Sequence, residues 1–90
     1  MVRLIKPLKL LEKFASEKNL ETEATTERLK DYPAGFKPNY TVKVSSGGKM
    51  MFIVSFNTKQ FYFDEIDEEG KNLAYELEKL FKEAGLTRIR

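Results

Sequence analysis

The side chains that could do chemistry in this sequence are carboxylates, amines and hydroxyls, because its 90 residues include no Cys, no His and no Trp. That absence removes thiolate and imidazole metal sites, Cys- or Ser–His nucleophiles and histidine acid–base catalysis. The densest remaining candidate is the run Asp64-Glu65-Ile66-Asp67-Glu68-Glu69. A calcium loop would need acids at alternate positions followed by a glycine turn. This run has another spacing, and it stands where a helix begins, where acids cap free N–H groups and meet the positive end of the dipole. Gly47-Gly48-Lys49 has the glycines and lysine of a phosphate loop. It lacks the second glycine spacing, the following Ser/Thr and the helix, and reads as a hairpin turn. Lys and Tyr are able to serve in acid–base work, but no spacing singles one out. The sequence therefore predicts a non-enzymatic protein with no catalytic residue, metal ligand or cofactor.

The amines are patterned. Lys6, Lys9 and Lys13 recur at helical spacing, and Lys37, Lys43 and Lys49 fall around the strands and turns. Residues 1–50 hold ten Lys/Arg against six Asp/Glu, while residues 51–90 hold six against eight. The net charge of +2 is too near neutral to indicate nucleic acid by itself.

These residues must be positioned by regular elements. Leu4, Leu8, Leu11 and Ala15, with Phe14 beside them, predict a helix over Pro7–Lys18. Pro7 suits its first turn, Asn19 its left-handed C′ position and Leu20 the C″ position. Residues 21–31 read as an edge strand because of Thr22, Thr25 and Thr26, and residues 32–38 as a loop. Tyr40, Val42 and Val44 alternate with Thr41, Lys43 and Ser45, which predicts a half-buried strand. Met50–Phe56 and Gln60–Asp64 follow as two more. A three-residue turn, Ser46-Gly47-Gly48, pairs Val44 with Met50, Val42 with Phe52 and Tyr40 with Val54. All six then share one apolar face with Phe56, Phe61 and Phe63, whereas a two-residue turn mixes the faces. A second helix is predicted over Asp67–Ala84, capped by Asp64 or Asp67, with Leu73, Ala74, Leu77, Leu80, Phe81 and Ala84 in its stripe. Gly85-Leu86 repeats the Asn19-Leu20 ending, and a short basic tail follows.

The chain is thus read as one α-β-β-β(-β)-α domain over residues 1–90. Its fold class is α+β: a two-layer sandwich, an antiparallel meander of three to four strands with the N- and C-terminal helices packed on one face. Two helices cannot cover both faces of the sheet. The other face would carry Thr41, Met51, Ile53 and Tyr62 as an exposed cluster, a contact surface for a second copy of the chain or another protein.

One resemblance bears on this order. Pro7-Leu8-Lys9-Leu10-Leu11-Glu12-Lys13-Phe14-Ala15 looks like the first helix of the double-stranded RNA-binding domain. Lys37-Pro38-Asn39-Tyr40-Thr41-Val42-Lys43-Val44 is similar to its proline-led second strand, Gly47-Gly48-Lys49 to its hairpin, and Lys71 and Ala74 to its final helix. The resemblance spans residues 7–49 and 70–84. It implies a helix–three-strand–helix fold and a nucleic-acid-binding module, with Lys6, Lys9, Lys13, Lys37, Lys43 and Lys49 meeting phosphates. At the start of the last helix, where that family places lysines, this chain has Asp67-Glu68-Glu69, which repels phosphate. The sequence reading therefore favours a self-associating or protein-binding domain, with RNA or DNA binding as the alternative. It expects no membrane partner, since no apolar run approaches a span or a leader's apolar region, and a cytoplasmic location. The absence of Cys and the abundant Lys and Glu suit a thermophile.

Overall fold

Both helices end the way their sequences dictate. The structure, a computed structural model, describes residues 6–25 and 35–89. Helix α1 spans Lys6–Glu17 and buries Pro7, Leu8, Leu11, Phe14 and Ala15. Asn19 takes the left-handed φ of 60°. The Leu20 N–H then reaches the Ala15 carbonyl (2.8 Å) and the Asn19 N–H the Ser16 carbonyl (3.3 Å), a complete Schellman ending. Helix α2, Lys71–Glu83, closes identically: Gly85 has φ 94°, Leu86 N–H bonds Phe81 and Gly85 N–H bonds Lys82.

Among the described residues, five strands form one sheet in the order β1-β2-β3-β4-β5. They are Glu21–Thr25, Tyr40–Ser46, Lys49–Phe56, Gln60–Ile66 and Thr87–Arg88. The first four make an antiparallel meander, and β5 joins β4 in parallel, so the sheet is mixed. The α+β class and the paired helices are as expected, with β5 added where the sequence suggested a tail. The expected edge strand exists over Glu21–Thr25; its remainder, 26–31, lies outside the described residues. The second helix begins later than Asp67. Asp67 caps a 3-10 turn, Glu68–Gly70, by accepting from the Glu69 N–H at 3.1 Å, and α2 follows.

The β2–β3 register differs from the expected one by two residues, yet the faces agree. The turn is two-residue: Ser46 pairs with Lys49, and Gly47 and Gly48 both have positive φ (57° and 84°), as a type I′ turn requires. Met51 is then an extra residue, so that Val44 pairs with Phe52, Val42 with Val54 and Tyr40 with Phe56. Turn and bulge together shift the ladder by an even number, which returns the alternating side chains to the same face. The bulge also corrects the placement of the two methionines. Met51, expected on the outer face, joins the core cluster, while Met50, expected inside, is only half-buried.

The core lies between this sheet face and both helices. Leu8, Leu11 and Phe14 of α1 and Ala74, Leu77 and Phe81 of α2 meet Val42, Val44, Phe52, Val54, Phe56, Phe61 and Phe63. The Phe81 ring packs edge-on against Phe56 (5.5 Å) and Phe61 (5.3 Å). Strand β5 is tied down by Thr87 N–H to the Lys59 carbonyl (2.9 Å), Ile89 N–H to the Phe61 carbonyl (3.0 Å) and the Arg88–Glu78 pair (2.6 Å). No helix among the described residues is long and apolar enough to cross a membrane.

Candidate functional site

Both helices pack on one side of the sheet, so neither covers the other face of β1–β4. Cross-strand pairing arranges them in two rows. One row runs Thr25–Thr41–Ser55–Tyr62, the other Glu23–Lys43–Ile53–Glu65. Asp64 is an extra residue between the pairs Val54–Phe63 and Ile53–Glu65, and its carboxylate returns to the first row.

The first row is closed. Ser55 is fully buried, with its hydroxyl 2.9 Å from the Thr41 hydroxyl and 3.0 Å from each Asp64 carboxylate oxygen. Partial burial raises the Asp64 pKa above the ordinary aspartate value, and the Ser55 hydroxyl opposes the shift by donating to the charged form. Phe36, buried in the segment before β2, sets its ring edge-on to Tyr62 at 6.3 Å. Thr41 is 4% exposed, and Met51, in its bulge, 8%. The expected exposed cluster of Thr41, Met51, Ile53 and Tyr62 is therefore divided: Thr41 and Met51 are interior, and Ile53 and Tyr62 are half-buried. Sequence alternation placed Ser55 and Asp64 on this face but gave no sign that Phe36, 26 residues before Tyr62, would pack against that ring.

The second row is open. Glu23, Lys43 and Glu65 are exposed around the half-buried Ile53, and a shallow groove beside them is lined by Glu23, Thr25, Thr41, Lys43 and Ile53. The exposed large hydrophobic side chain among the described residues is elsewhere, at Tyr75 on α2, with the Lys79 ammonium 4.8 Å from its ring centroid.

The lysines singled out for phosphate do not converge. Lys6, Lys9 and Lys13 are exposed on α1, which covers the inner face, whereas Lys43 projects from the outer face opposite Glu23. Lys49 pairs with Glu69 at 2.8 Å, and the Lys37 carbonyl accepts from the Asn57 side-chain amide at 3.2 Å. Among the described residues, no three acidic side chains gather into a site for a metal ion. Comparison with family models, with curated proteins and with solved structures finds no match to this chain.

Proposed function

We propose that this protein is a non-enzymatic interaction domain that associates with a second copy of itself through the outer face of its sheet. The observation that supports this is the open row Glu23–Lys43–Ile53–Glu65 on a face that neither helix covers. Adjacent strands stand about 4.8 Å apart, so Lys43 and Glu65 flank Ile53 at equal distances on opposite sides. A two-fold axis along β3 at Ile53 sets Ile53 on its mate and each Lys43 against Glu65 of the other copy. The surface is self-complementary in the sense a two-fold dimer needs. The Ser55 hydroxyl, which donates to the Asp64 carboxylate, is fully buried, which favours binding over catalysis.

Sedimentation over a range of concentrations tests the reading. The wild type is expected to dimerise and Ile53→Lys to stay monomeric. Lys43→Glu alone weakens the dimer, and Lys43→Glu with Glu65→Lys restores it. A wild-type protein that stays monomeric at high concentration would overturn the proposal. The alternative, nucleic-acid binding, has less support, since Lys6, Lys9 and Lys13 stand on α1, Lys43 stands on the opposite face of the sheet, and Lys49 is paired with Glu69.

A further inference from the structure

We propose that the free edge of β1 accepts an extended basic segment of another protein as an added strand. This surface is distinct from the Ile53 row. Strand β1 ends the sheet. It pairs with β2 through five consecutive residues without a bulge, so its outer edge is a regular template. Alternate residues of such an edge direct N–H and C=O groups away from the sheet. Glu21, Thr22, Glu23 and Ala24 are all exposed, and neither the helix side nor the outer side of the strand is covered at these four positions. The opposite edge, β5, is only two residues long. Of the two edges, β1 is the one that can guide a strand.

Charge selects the occupant. Glu21 and Glu23 lie on the same face, and across from them on β2 stand Ser45 and Lys43. One lysine therefore faces two carboxylates. A second copy of β1 is a poor partner. Antiparallel pairing about a two-fold axis requires that both copies present the same face, so opposed residue numbers sum to an even value. The register of longest overlap, centred on Glu23, sets Glu23 against Glu23, and the one centred on Thr22 sets Glu21 against Glu23; the one centred on Ala24 overlaps only three residues and leaves Thr25 opposite Glu23. Like charges directly opposite are destabilising. A strand with Lys or Arg at alternate positions meets the same carboxylates with opposite charge, and its backbone supplies the missing ladder. The two glutamates thus oppose the copy in its longest register and favour a basic partner.

The probe is a blocked peptide with Arg at alternate positions, titrated at low salt and followed by backbone amide resonances and hydrogen exchange. Binding is expected, with new protection confined to residues 21–24. A peptide of the same sequence N-methylated at alternate residues, and the same Arg peptide against Glu21→Lys/Glu23→Lys, are each expected to bind about tenfold more weakly. Should the charge reversal impair folding, Glu21→Gln/Glu23→Gln gives the same direction. No binding of the Arg peptide, equal binding of the N-methylated peptide, or protection elsewhere would each overturn the proposal. Ile53→Lys leaves this binding intact while abolishing self-association, so the two proposals fail independently.

Discussion

Asp64 is a residue whose chemistry is altered by its surroundings. Its carboxylate sits half inside the protein and is held by one hydroxyl, that of Ser55, which is itself shared with Thr41. Burial raises its pKa, so the folded protein binds the proton more tightly than the unfolded chain. The stability contributed by this group is therefore complete below the ordinary aspartate range and is lost as pH rises through the raised value. At neutral pH the ionised form is a cost. Asp64→Asn keeps an acceptor for Ser55 without the charge. We expect it to exceed the wild type in urea stability at neutral pH and to lose that advantage in acid. An advantage that does not change with pH would contradict this account. Glu78 shows the opposite balance: burial pushes its pKa up, but hydrogen bonds from Lys82 and Arg88, together with their charges, bring it below the ordinary value.

At the scale of elements, two bulges reconcile turn geometry with the alternation of apolar side chains. The one at Met51 also fixes the entry to α2. The Met51 carbonyl accepts the Asp67 N–H at 2.8 Å, and Gly70 lies so close that a Cβ there would overlap the Met51 backbone. Gly70 is needed for this approach and not for its dihedral angles, since its φ is an ordinary −91°. Gly70→Ala is expected to destabilise by about 1–3 kcal/mol, the usual cost of overpacking against an immobile neighbour. Urea unfolding measures it, and a neutral result would mean that the strand and the 3-10 turn separate freely. The Schellman endings, by contrast, were legible without any tertiary information, because Asn19-Leu20 and Gly85-Leu86 each follow a helical stripe. The bulges were not: the demand that Phe52 and Val54 face the helices requires one extra residue after the two-residue turn, but nothing local distinguishes Met50 from Met51.

For the whole molecule, the aromatic cluster is the common floor of every surface. Phe56 is fully buried and touches Tyr40 of β2 and Phe81 of α2, so it joins the sheet to the second helix. Truncation to alanine at such sites removes about 3–5 kcal/mol, against a total of about 5–13 kcal/mol for a domain of this size. Phe56→Ala is expected to lower the urea midpoint more than any single change on the outer face. The near-ultraviolet dichroism of the aromatic cluster should fall with it. A midpoint shift no larger than that of a surface substitution would show that the rings are not held as one unit.

By itself the sequence determined the two helices and their endings, the strands of the meander and, the methionines apart, the inner face of the sheet. Each of these depends on residues adjacent in the chain or on a period of 2 or 3.6, and alternation preserves the face through any even shift of register. Tertiary structure decided what those patterns cannot encode. It set which methionine fills the bulge, buried Thr41 and Ser55, set Phe36 against Tyr62, and turned Thr87–Arg88 into a parallel strand. It also assembled the open row Glu23–Lys43–Ile53–Glu65, drawn from four strands whose members are neighbours only once the sheet has formed. The lysines separated for the same reason, because the fold sends one helix and one strand face in opposite directions.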